Sequence, residues 1–165
     1  MEASYEIDSL NLITLSGWGY FGSSDSDGTS IYNASNVENI LTRKYSNTEK
    51  SIYDYGSGSG SVSYQRTYKK PDQNLTFSYS IDASPMNTDA TNSIDPVLNY
   101  ITYAQKSKND ALGIEHTVQI DYYDPLTKKH LIETGVKYIL RQNTSDTKIQ
   151  RYDETTGNWV EDMSK

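Results

Sequence analysis

Two segments alternate apolar and polar residues without a break, and this period restricts the chain more than any other feature. In Asn74–Ile81, residues Leu75, Phe77, Tyr79 and Ile81 share one face, and Thr76, Ser78 and Ser80 share the other. In Ile114–Tyr123, Ile114, His116, Val118, Ile120 and Tyr122 point one way, and Glu115, Thr117, Gln119 and Asp121 point the other. A helix cannot separate side chains at period two, whereas a strand with one buried face does so directly. His130–Leu140 repeats the pattern through Ile132, Val136, Tyr138 and Leu140. Tyr5–Leu15 predicts a further strand, with Leu10, Leu12, Ile13 and Leu15 out of strict alternation, as at a bulge or under burial on both faces.

Turn-forming residues punctuate these segments. Gly17, Gly19 and Gly22 space the aromatics Trp18, Tyr20 and Phe21, which predicts a turn, and the polar run Ser23–Gly28 predicts another. Ser84-Pro85-Met86-Asn87 and Asp124-Pro125-Leu126-Thr127 end the two clean strands in the same way. Ser93–Lys106 predicts one helix: Asp95 suits the N-cap, Pro96 the first helical position, and Ile94, Val97, Leu98 and Ile101 follow helical spacing. Lys148–Tyr152 and Trp159–Val160 flank Glu154–Asn158 as a hairpin. The expected fold is mainly β, with one amphipathic α-helix over 93–106 laid on a sheet. It forms a single domain over 1–165, with 141–165 as a C-terminal hairpin extension.

The apolar fraction is low, at 35%, and 15 tyrosines make up much of it, so a core must be partly aromatic. The net charge of −7 opposes an electrostatic hold on nucleic acid or on an anionic membrane. Without cysteine there are no disulfides and no thiolate chemistry, and two histidines make a poor metal set. Gly56-Ser57-Gly58-Ser59-Gly60 lacks the Lys-Ser/Thr of a phosphate loop. Asp25-Ser26-Asp27-Gly28 lacks the distal glutamate of a calcium loop, since Ala34 falls at that place. His116 reads as a packed core histidine, and Glu115 and Glu133 could face each other across neighbouring strands. The residues therefore predict no enzyme, no cofactor and no metal. No window approaches about 18 apolar residues, so no transmembrane helix is expected. Met1-Glu2-Ala3-Ser4-Tyr5 lacks a charged and apolar leader, which predicts a native start and synthesis for a cytoplasm, or a mature domain bearing an added Met1.

Gly and Ser weaken a strand interior, so Ser51–Tyr64 reads either as a flexible hairpin tip or as an arm that orders on a neighbour. Its candidate contact residues are Tyr53, Tyr55, Gly56, Gly58, Gly60 and Tyr64. Leu15–Gly19, Tyr55–Val62, and Leu75–Phe77 followed by Ser84–Asn87 occur in an order that resembles the tail tube proteins of contractile and long-tailed phages. The resemblance covers about Ile7 to Tyr123. It implies a two-sheet β-sandwich or partial barrel with one flanking α-helix, and a hexameric ring of identical subunits stacking into a hollow tube, with other tail or surface proteins as further partners. The product would be a virion component assembled in the host cytoplasm, with no membrane partner and no sequence-specific hold on nucleic acid. In that tube Thr76, Ser78, Ser80, Glu115, Gln119 and Asp121 would face the lumen. The alternative is a secreted or cell-surface bacterial β-sandwich module that binds carbohydrate or protein through Trp18, Tyr20 and neighbouring tyrosines.

Overall fold

Backbone hydrogen bonding runs almost uninterrupted from one end of the chain to the other. The computed structural model describes residues 1–127 and 129–162. Its strands are β1 (Glu2–Asp8), β2 (Asn11–Ser35), β3 (Leu41–Thr67), β4 (Asn74–Leu98), β5 (Tyr103–Thr127), β6 (His130–Asp153) and β7 (Asn158–Glu161). They form one seven-stranded sheet in the order β1-β2-β3-β4-β5-β6-β7. Short connections between sequential neighbours make it an antiparallel meander. At one end Tyr5 pairs with Ile13 and Ala3 with Leu15; at the other Tyr152 pairs with Trp159.

Small side-chain motifs make the reversals. Asp8 accepts the Leu10 N–H and the Asn11 side-chain amide, each at 2.8 Å. Asn36 accepts the N–H groups of Glu38 and Ile40. The Thr127 hydroxyl accepts those of Lys129 and His130. Asn39, Asp72 and Asn99 take positive φ, which short polar side chains tolerate.

The last hairpin turns on Asp153, which accepts the Thr155 N–H at 2.9 Å and the Thr156 hydroxyl at 3.0 Å. The Thr155 N–H first, and the Thr156 hydroxyl second, hold its carboxyl below the ordinary 3.8. A lowered folded pKa stabilises fully above the unfolded value, and this contribution is lost as pH falls through the folded one. The Asp153 hairpin is therefore expected to persist at neutral pH and to loosen only below pH 3.8. An NMR titration placing Asp153 at or above 3.8 would contradict this.

Several sequence expectations need correction. Among the described residues there is no helix and no second sheet. Residues 93–106 are divided between the end of β4 and the start of β5, with the reversal at Asn99 (φ 48°). Their apolar residues match helical spacing, but no layer is present for a helix to cover: Val97 is 65% and Ile101 74% exposed. Ser16–Gly22 and Ser23–Gly28 are not turns but parts of β2, and Ser84–Asn87 lies inside β4. Pro85 removes one N–H from the ladder, which continues on both sides. Asp124–Leu126 stays in β5, and β6 passes 141 without interruption. Ser51–Tyr64 is neither tip nor free arm but the interior of β3, where Gly56 is buried. A Cβ there would stand 2.7 Å from the Phe21 ring, so the ring occupies the place of the missing side chain.

Among the described residues no hydrophobic side chain is fully buried. The sheet divides into two units. Unit 1 is Met1–Phe21, Gly56–Pro85 and Leu112–Thr144; unit 2 is Gly22–Tyr55, Met86–Ala111 and the residues from Ser145. Unit 1 holds all three segments of clean alternation. Unit 2 is polar on both registers, as in Ser23–Ser30. Its order comes from contacts such as the stacked rings of Tyr32, Tyr45 and Tyr100, with centroids 4.9 and 4.2 Å apart, and Arg43 over Tyr100 at 5.5 Å.

Candidate functional site

Unit 1 sorts its side chains by face, and the cross-strand contacts fix which belong together. Pairing of Tyr5 with Ile13 and Ala3 with Leu15 aligns the apolar register of β1 with that of β2. Ser4 and Thr14 share the opposite register, hydroxyls 3.2 Å apart, and Ser16 meets Ser61 of β3 at 2.7 Å. A Cβ on Gly60 would lie 3.9 Å from Ile81, which joins β3 to the apolar register of β4. Tyr79 and His116 join β4 to β5: their rings stack, and the phenol oxygen is 2.9 Å from Nδ1. His116 is thus no enclosed core histidine. It sits half-exposed on the apolar face with its polar atom satisfied by Tyr79. Near the turns, Gln73 donates to the Tyr122 hydroxyl at 2.6 Å and Lys70 pairs with Asp124.

The apolar face therefore carries Ile13, Leu15 and Phe21 of β2, Leu75 to Ile81 of β4, Ile114 to Tyr122 of β5, and Ile132 to Leu140 of β6. Among the described residues no second layer covers these side chains. Phe21 is 85%, Tyr138 64% and Phe77 43% exposed. Such a contiguous apolar face is not a stable surface in water.

The other face is polar, and its members interact. Arg141 of β6 donates through Nε to Glu115 of β5, so Glu115 pairs with Arg141 and not with Glu133. Gln119 donates to Asp121 at 2.8 Å, and Thr117 to Glu115 at 3.4 Å. Ser57, Asp82, Ser84, Glu115, Arg141 and Asn143 line an open depression. Gly113 borders it, where a Cβ would stand 3.1 Å from Asn143 Oδ1. Elsewhere on this face a Cβ at Gly135 would meet the Asp121 carboxylate at 2.5 Å and the Ile120 carbonyl at 2.9 Å. Trp18 and Tyr20 stand in the register of Ser16, 6.0 Å apart and nearly parallel.

Of the residues singled out from sequence, Thr76, Ser78 and Ser80 occupy the polar register of β4, and Glu115, Gln119 and Asp121 that of β5. Tyr53, Tyr55, Gly56, Gly58, Gly60 and Tyr64 all lie in β3 and fall on alternating faces. Arg141, Asn143 and Asp82 were missed. The signal available was the charged odd register of β6, Glu133, Lys137 and Arg141, which opposes its apolar even one. Among the described residues no group of three or more His, Asp or Glu converges on a metal position. Asp25 and Asp27 lie in a strand and not in a calcium loop.

Residues 66–165, more than half of the chain, match the model of an outer membrane protein beta-barrel family. The chain belongs to that family. No curated protein matches it. Membership overturns the phage tail tube resemblance, and with it the virion assignment, the stacked tube and the expectation of no membrane partner. It agrees with the cell-surface alternative. The three stretches behind the resemblance lie on β2, β3 and β4, and their glycine and aromatic spacing is common to antiparallel sheets of several kinds. The net charge of −7 and the lack of a long apolar window had argued against a membrane, because only an anionic surface and a helical span were considered. A family of strand-built barrels needs an apolar residue at every second position only.

Proposed function

We propose that unit 1 crosses the outer membrane as part of a barrel wall, with its apolar face in lipid and its polar face toward a water-filled interior. The observation that carries this reading is that unit 1 has one mainly apolar and one mainly polar face, with no fully buried hydrophobic side chain among the described residues. A tilted strand needs about 9–11 residues to cross the hydrocarbon. Ile13–Phe21, Leu75–Pro85, Leu112–Tyr122 and Ile132–Leu140 have that span. In hydrocarbon each unpaired backbone group costs several kcal/mol. Among the described residues β2 has no outer partner beyond Gly17, and β6 none over His130–Lys148. These edges have to be paired for the sheet to stand in lipid, and closure into a barrel pairs them. Thr76, Ser78, Ser80, Glu115, Gln119 and Asp121 then line the interior with Asp82 and Arg141, where they act on passing solutes by charge and hydrogen bonding and not by catalysis.

The chain has no cysteine, so single substitutions report cleanly. Cysteines placed in turn from 115 to 121 in the vesicle-inserted protein are expected to alternate. Positions 115, 117, 119 and 121 react with a water-soluble maleimide, while 116, 118 and 120 stay protected until detergent is added. Uniform labelling, or alternation of the opposite phase, would sink the assignment.

A further inference from the structure

We propose that four lysines of unit 2 form a docking site for the phosphate group of an anionic lipid headgroup. Lys50 of β3, Lys106 and Lys108 of β5 and Lys148 of β6 line one open depression, together with Ile52 and a single acid, Asp89 of β4. The chain as a whole carries −7, so this concentration of positive charge runs against its average. Lys50, Lys106 and Lys148 form no ion pair among the described residues. Lys108 has only Asp110, at 3.9 Å. Lys106 stands 4.2 Å above the ring of Trp159, which aims its ammonium while leaving its N–H groups available.

Four ammonium groups around one depression, against a single carboxylate, suit a phosphate group, and basic residues at a lipid surface are attracted by anionic headgroups. Carbohydrate or a neutral solute would not call for four cations.

The inference rests on the membrane reading, and its experiment separates the two. The full chain is reconstituted in phosphatidylcholine vesicles containing spin-labelled phosphatidate, and the preference for phosphatidate over phosphatidylcholine at the protein is measured. The wild type is expected to prefer phosphatidate, with the preference falling as salt rises. K106Q/K108Q/K148Q is expected to lose it by roughly tenfold or more, while K106R/K108R/K148R and the turn variant K69Q/K129Q retain it. Equal preference in the glutamine variant overturns the site, as does displacement of the lipid by inorganic phosphate at the same concentration, which would mark a free-phosphate site instead. If the glutamine variant does not fold, an arginine variant or wild type without salt-sensitive preference overturns the site equally. A wild type that inserts without preference removes the lysine site alone; one that fails to enter phosphatidylcholine removes the membrane reading with it.

Discussion

Ile81→Arg is expected to destabilise the lipid-inserted protein by about 2–4 kcal/mol, the cost of a guanidinium on the lipid face of a barrel near the bilayer midplane. Ile81 lies near the middle of Leu75–Pro85, in the apolar register, and is 37% exposed beside Gly60. Its neighbour Ser80 points to the opposite face. Ser80→Arg places the same charge one residue away in water, where surface substitutions stay within about 0.5 kcal/mol. Urea titration of both variants in phosphatidylcholine vesicles gives the comparison. Equal losses, or a larger loss for Ser80→Arg, would show that the faces are assigned the wrong way round.

The second large effect is expected at Gly135. Replacement by valine forces a branched side chain into space held by the Asp121 carboxylate and the Ile120 carbonyl. Overpacking of this kind costs about 1–3 kcal/mol. Gly28 serves as the internal control, because a Cβ there meets nothing within 4 Å, and Gly28→Val should be near neutral. Adding Asp121→Ala to Gly135→Val is expected to recover only part of the loss, since the side chain can be removed and the Ile120 carbonyl cannot. The same urea titrations, arranged as a double-mutant cycle, measure the coupling. A Gly135→Val variant as stable as Gly28→Val would contradict the proposed crowding.

How far the sequence could be read depended on what each pattern actually constrains. Alternation at Leu75–Ile81 and Ile114–Tyr122 constrains the direction of side chains, and it gave the strands and their two faces directly. The polar residues Thr76, Ser80, Glu115 and Gln119 could be grouped for the same reason. What lies beyond a face is not contained in the period: Phe77 or Val118 alternates identically under a second sheet and under lipid. The helix was inferred from the spacing of Ile94, Val97, Leu98 and Ile101 and the second sheet from the tail tube resemblance, and neither signal says whether a core is required. Strand ends were misplaced because Gly17, Gly22, Gly56 and Pro85 act as stops in short soluble strands. Here Tyr55 lies over Gly22 and Phe21 over Gly56, so rings from the neighbouring strand replace the missing side chains and the ladder continues. Arg141 escaped notice because its partner Glu115 is 26 positions away in the chain.

Spreading apolar residues over every second position has a consequence for the chain before it folds. A thread of this kind offers no contiguous greasy segment, and no helix of the described structure is long and apolar enough to cross a bilayer. Membranes retain a passing polypeptide by partitioning such segments as helices. A chain whose greasiness exists only once its strands lie side by side can be drawn through one membrane without being caught there, and become insoluble in water only as it takes its place in the next.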